Sequence, residues 1–190
     1  MAFSIAIDGP AGAGKSTIAK ELAKRLSFVY VDTGAMYRAI GLYLIRNQIS
    51  PKDESSVEKA CKEIQISISY EDGVQQVFLN GENVSEEIRK EEVGNMASAG
   101  AKNQKVREKL VELQRELASK ADVVMDGRDI GTCVLPNANV KIYLTASVHT
   151  RAVRRYQEYL AKGEKITLEE VEKCNGKIFL YKDNEKIVGL

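Results

Sequence analysis

The sequence predicts an α/β fold, a parallel sheet with flanking helices and a small antiparallel β insertion, and three observations predict it. Short apolar runs at Phe3–Ile7, Ser27–Val31, Asp122–Asp126 and Val140–Leu144 have the length and composition of buried parallel strands. Segments of helical period lie between them with short links, the alternation that builds a parallel sheet. One segment departs from this pattern: Ile64, Ile66, Ile68 and Tyr70 alternate with Gln65, Ser67 and Ser69, which describes a half-exposed strand of another kind of sheet.

The first strand runs into Gly9-Pro-Ala-Gly-Ala-Gly-Lys15-Ser16-Thr17, a match to Gly-x-x-x-x-Gly-Lys-Ser, the P-loop pattern. Without Cβ atoms, Gly9, Gly12 and Gly14 let the chain curl and turn successive N–H groups inward as an anion-binding nest. Ile18, Ala19, Leu22, Ala23 and Leu26 then recur at helical spacing, with Lys20, Glu21, Lys24 and Arg25 on the other side. The loop thus sits between a strand and a helix N-terminus, whose partial positive charge faces bound phosphates. This context favours a nucleoside triphosphate site over a Gly-rich turn without a ligand. Gly9, Pro10, Ala11, Gly12, Ala13, Gly14, Lys15, Ser16 and Thr17 are its expected binding residues. Lys15 is suited to the β/γ-phosphates and the Ser16 hydroxyl to a Mg²⁺ ion held mostly by the phosphates.

The second strand ends at Asp32-Thr-Gly, which leads into a helix over Ala35–Ile45 with Met36, Ala39, Ile40, Tyr43 and Leu44 facing inward. A doubly wound sheet would set this strand end beside the P-loop strand, at the edge where such sheets bind ligands. Pro51 breaks the chain, and Asp53–Lys62 reads as a short charged helix. Glu71-Asp72-Gly73 signals a hairpin, Val74–Asn80 the returning strand, and Glu82–Val84 a short third one. From Ser85 to Lys120 the chain reads as mostly helical with a break near Gly100, the later helix facing inward with Val106, Leu110, Leu113 and Leu117. Ser147 is placed to cap a last helix from Val148 to about Leu160.

Composition narrows the classes. The chain has 190 residues, 44% of them hydrophobic, enough for one domain with a sizeable core. Its 28 basic and 27 acidic residues leave a net charge of +1, which gives no general drive toward nucleic acid or anionic membrane. No apolar run approaches the roughly 20 residues of a membrane span. Cys61, Cys133 and Cys174 form neither a disulfide framework nor a zinc pattern. A soluble cytoplasmic protein is the expectation.

Three further stretches carry a resemblance: Val31-Asp-Thr-Gly-Ala-Met-Tyr-Arg38; Glu92-Val-Gly-Asn-Met-Ala-Ser98 with Lys105-Val-Arg107; and Met125-Asp-Gly-Arg-Asp-Ile-Gly-Thr132. With the P-loop they resemble bacterial cytidylate kinases, nucleoside monophosphate kinases of the P-loop class, from the N-terminus to about residue 170. The resemblance implies transfer of a phosphoryl group from ATP to CMP or dCMP with Mg²⁺, by a monomer. It implies that Arg38 and Arg128 bind the acceptor phosphate, with Thr33 nearby, and that Ser98, Arg107 and Asp129 read cytosine. It further implies that Lys15, Arg128, Arg151 and Arg155 act on the transferring group. Residue types alone leave Arg38 equally a solvated helix arginine, Asp126-Gly-Arg128-Asp129 an ion-pair network, and Arg151, Arg154 and Arg155 an exposed basic face.

The chemistry makes sense of those types. Cytosine donates through one exocyclic amine and accepts at O2 and N3, so a carboxylate beside an arginine and a hydroxyl matches it. Uracil would leave that carboxylate unpaired, at about 1–3 kcal/mol. The implied organisation is a core of residues 1–62 and 85–190 with a hairpin subdomain at 63–84 on the monophosphate side. A partial lid is expected at about 155–173 and an atypical tail at 174–190, where residues 177–190 read as a hairpin turning at Asp183-Asn184, or as one strand and a stub. The family's arginine- and aspartate-rich lid segment has no counterpart in that tail, so a truncated or frameshifted reading is expected. Alternatives are a nucleotide-binding protein of the same fold with little turnover, and another small-molecule P-loop kinase. A GTPase-like switch would need Asn-Lys-x-Asp, which is absent.

Overall fold

The computed structural model describes residues 2–161, 163 and 165–172, so the expected tail at 174–190 lies outside the described residues. In chain order the elements are β1 (Ser4–Asp8), α1 (Lys15–Leu26), β2 (Val29–Asp32), α2 (Thr33–Arg46) and α3 (Glu54–Glu63). An antiparallel unit follows, β3 (Ile66–Glu71), β4 (Val74–Leu79) and β5 (Glu82–Asn83). Then come α4 (Glu91–Gly100), α5 (Gln104–Lys120), β6 (Val123–Gly127), β7 (Val140–Tyr143) and α6 (Val148–Ala161). Among the described residues the expected strands and helices form, with ends shifted by at most two residues. The mostly helical reading of Ser85–Lys120 resolves into a 3₁₀ turn at Glu87–Arg89, then α4 and α5.

The main sheet is parallel throughout, in the order β2-β6-β1-β7. This corrects one expectation: β2 is not beside the P-loop strand, because β6 pairs with both and stands between them. The register sets Asp32 opposite Asp126 and Asp8 opposite Gly127, so three strands end at one edge with an aspartate each.

Burial on both faces explains why β1, β2 and β6 read as unbroken apolar runs, whereas β7, expected to be buried, stands at the end of the strand order with Val140 and Tyr143 exposed. On one face Ala6, Val31, Val123 and Met125 meet Met36, Ile40 and Leu44 of α2 and Leu110 of α5. On the other, Ile5, Ile7, Tyr30 and Val124 meet only Ala19 and Ala23 of α1 among fully buried helix residues. That helix turns a narrower stripe inward than its sequence suggests: Ile18 is 45% exposed and Leu26 43%. α2, in contrast, is enclosed by the sheet and α4, and Gly41 lets the two helices touch, since a Cβ there would meet the Ala97 nitrogen at 2.8 Å. Among the described residues no helix is long and apolar enough to cross a membrane.

Candidate active site

The phosphate loop is a backbone structure. Gly9, Gly12 and Gly14 take φ of +148°, +75° and +94°, which side-chain-bearing residues rarely adopt. A Cβ on Gly9 would also collide with the Leu144 carbonyl. Gly14 occupies the N-cap of α1 without a side chain to cap it, leaving first-turn N–H groups for an anion. The Lys15 ammonium donates to the Pro10 carbonyl at 2.9 Å, which holds it folded over the loop. Burial lowers its pKa; Arg128 acts in the same direction, while Asp126, Asp8 and Asp32 oppose.

The three strand-end aspartates organise what surrounds the loop. Asp8 accepts the Ile130 and Gly131 amides at 2.7 and 2.8 Å, tying the π-turn at Ile130–Val134 back onto the P-loop strand. Burial raises its pKa, against the pull of those two hydrogen bonds. Asp126 accepts from the Ser16 hydroxyl at 2.8 Å and from the buried Tyr30 phenol at 3.0 Å. Burial raises the Asp126 pKa as well, and the Asp32 carboxylate adds to it. The Thr33 hydroxyl donates to the Asp126 carbonyl at 2.7 Å, so the acceptor-side helix is bonded directly to this strand end. A P-loop serine beside a strand-end aspartate is the hard-oxygen pair that suits Mg²⁺. No group of three or more His, Cys, Asp or Glu among the described residues could hold a metal, so an ion here would take its other ligands from phosphates and water.

From the end of β2, α2 presents Arg38. Its guanidinium donates to the Ile88 carbonyl at 3.0 Å and lies on α4 at Gly94, where a Cβ would stand 2.9 Å from it. Burial lowers its pKa, with Asp32 opposing and Arg155 and Arg89 adding to the effect. Ser98 is exposed one turn beyond Gly94 on α4. Arg107 and Asp129 form an ion pair at 3.2 Å, both side chains roughly half exposed. Tyr37 lies within their field, its phenol pKa raised by burial and then by Asp129. Arg128 is exposed and makes no hydrogen bond among the described residues, and its charge is felt at Lys15.

The arginines of α6 divide. Arg154, which the sequence only placed between two others, donates to the Gly12 carbonyl at 2.9 Å. Arg151, expected at the transferring group, is 6% exposed, with its Cβ against Gly12. Arg155 bonds Glu158 at 2.9 Å, stacks on Tyr159 at 4.6 Å and acts electrostatically on Arg38. The Ser147 cap forms as expected, accepting the Thr150 amide at 3.1 Å.

Sequence reasoning assigned no role to Asp8, Tyr30 or Gln75, and read the Asp126 side chain only as an alternative ion-pair partner of Arg128, whereas it bonds Ser16 and Tyr30. For the two aspartates a signal existed, since each ends an apolar strand at the sheet edge where ligands bind. Tyr30 and Gln75 carried none, because their partners are 96 and 43 residues away.

A Gly-rich loop between parallel strand and helix, with a serine facing the aspartate that ends the neighbouring strand, defines a P-loop kinase fold. Within that class the chain belongs to the cytidylate kinase family, whose sequence model matches residues 5–175. It is 52% identical over 175 residues to the cytidylate kinase of Caldicellulosiruptor bescii, covering 90% of this chain and 77% of that one. The cytidylate kinase of Caldanaerobacter subterraneus subsp. tengcongensis is 53% identical over 171 residues, covering 90% and 75%. That of Bacillus cytotoxicus is 52% identical, covering 90% and 76%. The chain therefore spans about three quarters of the length of these relatives.

Proposed function

We propose that this protein phosphorylates CMP, and dCMP, with ATP, giving CDP or dCDP and ADP. A phosphate oxygen of the monophosphate attacks the γ-phosphorus of ATP in line, and the bond from that phosphorus to the β-phosphate bridging oxygen breaks. No protein group becomes covalently attached, so the work is positioning and charge neutralisation. The loop Gly9–Thr17 holds the triphosphate through its amides, with Lys15 on the β/γ oxygens. Ser16 and Asp126 are the residues that would hold Mg²⁺, which when bound neutralises charge on those oxygens.

On the other side Arg38 and Arg128 clamp the acceptor phosphate, with Thr33 beside them. Ser98, Arg107 and Asp129 read the base. Arg155, already in electrostatic reach of Arg38, supplies charge at the transferring group. Arg151, behind Gly12, takes part from the loop side together with Arg154. Residues 63–84 serve as the insertion on the monophosphate side and about 155–173 as a partial lid on the 1–62 and 85–190 core. A net charge of +1 supports action on free nucleotides rather than on nucleic acid or an anionic membrane, and the reading takes the protein as a cytoplasmic monomer.

The observation that carries this reading is the Arg107–Asp129 pair, which offers donors and an acceptor side by side, with Asp129 acting on Tyr37 of α2 and on Asp8 at the end of the P-loop strand. The relatives named above draw no support to a nucleotide-binding protein without turnover or to another small-molecule kinase. A coupled assay of ADP production with CMP, dCMP, UMP and AMP tests it. Turnover with CMP and dCMP, well above UMP and AMP, is expected. Tight CMP binding without turnover would overturn it in favour of the binding-protein alternative.

A further inference from the structure

β4 carries a polar residue where its pattern calls for an apolar one. Gln75, Val77 and Leu79 face inward, and Gln75 is 9% exposed while the neighbouring Val74 is 56% exposed. Hydrophobicity alone would bury the valine and expose the amide. A buried amide is tolerated when its groups are bonded, and Gln75 meets that condition at one place only on the main sheet. Its Oε1 accepts the Asp32 N–H at 2.8 Å and its Nε2 donates to the Asp32 carbonyl at 3.3 Å.

Directly opposite Gln75 on the β3–β4 ladder stands Tyr70, whose hydroxyl donates to the Tyr30 carbonyl at 2.7 Å. Among the described residues β2 is the edge strand of the main sheet, and Tyr30 and Asp32 are alternate residues on it. Alternate backbone groups of a strand point to the same side. Val29 spends its N–H inward, on Asp122, so Tyr30 and Asp32 turn outward. Two side chains of the inserted hairpin thus act as the missing neighbour strand.

Asp32 is also the N-cap of α2, accepting the Ala35 amide at 3.0 Å, and that helix carries Thr33 and Arg38. Arg38 is held at its far end by the Ile88 carbonyl, just past the hairpin. A cavity of about 570 Å³ lined by Lys24, Tyr30, Asp32, Tyr70, Gln75 and Ile88 opens between β2 and the hairpin. At Asp32 the hairpin is thus joined by directed bonds beside open space, while Val77 and Leu79 further along β4 pack into the core with Val31 and Met36.

We propose that Gln75, seconded by Tyr70, is a positioning residue for the acceptor half of the site, setting the β2 end and the α2 cap on which Thr33 and Arg38 depend. The role rests on the CMP phosphorylation proposed above. It is tested with Gln75→Met, which keeps the bulk of the side chain and removes both hydrogen bonds, and with Tyr70→Phe, which removes one bond at a site where the ring remains. Steady-state kinetics and calorimetric CMP binding are measured at equal folded fraction.

Gln75→Met should raise KM and Kd for CMP about five- to tenfold, the size of one or two net hydrogen bonds, and leave KM for ATP within about twofold. Tyr70→Phe should move in the same direction by a smaller factor, and it carries the test if Gln75→Met does not fold. Equal losses for ATP and CMP, or a fall in Tm with no change in either KM, would overturn the positioning role. Wild-type protein is run alongside. Failure of wild type to turn over CMP overturns the function proposed above, whereas normal wild-type turnover with no CMP-selective loss overturns the role of Gln75 alone.

Discussion

The phosphate loop takes its working groups from one unbroken stretch, Gly9–Thr17, and most of them are backbone amides. The acceptor side proposed above draws on Thr33 and Arg38 of α2, Ser98 of α4, Arg107 of α5, and Arg128 and Asp129 of the turn after β6, and it would act nearly throughout by side chains. The difference teaches how each half is specified. A loop fixed by three glycines at positive φ is local, and its shape follows wherever a strand and helix flank it. A site of long side chains has no local shape, and its geometry depends on ion pairs, caps and clamps such as Arg107–Asp129, Asp32–Ala35 and Gln75–Asp32. The Asp126 strand end joins the two, bonding Ser16 by its side chain and Thr33 by its carbonyl.

If the halves are separable in this way, substitutions in each should leave different kinetic signatures. The largest effect is expected on the loop: Lys15→Ala should lower kcat by about 10²-fold or more, as loss of one charge-stabilising group does. KM for CMP should stay within a few-fold and the circular dichroism spectrum should not change. Near-normal kcat would break the donor-side assignment.

The acceptor side should respond in binding instead. Arg38→Met should raise KM for CMP by about 10- to 100-fold, in line with a lost charge-assisted contact, and spare KM for ATP. Parallel increases in both would mean that Arg38 supports the whole cleft through Ile88 and Gly94 rather than one substrate.

Asp129→Ala should compress the preference for CMP over UMP in kcat/KM by about 5- to 100-fold, the range of one buried acceptor left without its donor. An unaltered ratio would make the Arg107–Asp129 pair a structural bridge between α5 and the β6 turn.

The smallest effect is expected away from both halves. Asp53 caps α3, which carries none of the proposed site residues, by accepting the Ser56 amide at 3.1 Å. Asp53→Ala should lower Tm by about 2–4 °C, the size of a lost helix cap. Substrate selectivity should be unaltered, which would show that stability loss alone does not produce the asymmetry.

How far each region was legible follows from the range of its interactions. α1 and α2 were both visible as amphipathic periods, but only the structure separates them. α2 buries almost its whole circumference between sheet and α4, while α1 leaves Ile18 and Leu26 in solvent. Periodicity reports that a face exists and cannot report how wide a partner covers it. Strand order was invisible for a related reason. β6 is far from β1 and β2 in sequence, and its place between them comes from pairing that no local pattern encodes.

By itself the sequence determined the elements, the P-loop and its strand–loop–helix setting, and the hairpin turn at Asp72-Gly73. These are consequences of backbone freedom and of apolar spacing, which act between near neighbours. Only the tertiary structure decided that Asp126 stands between Asp8 and Asp32, that Tyr30 and Ser16 share its carboxylate, and that Gln75 is buried in place of Val74. Each of those depends on a hydrogen bond between residues tens of positions apart, and a buried polar group becomes favourable only once its distant partner has been brought within reach.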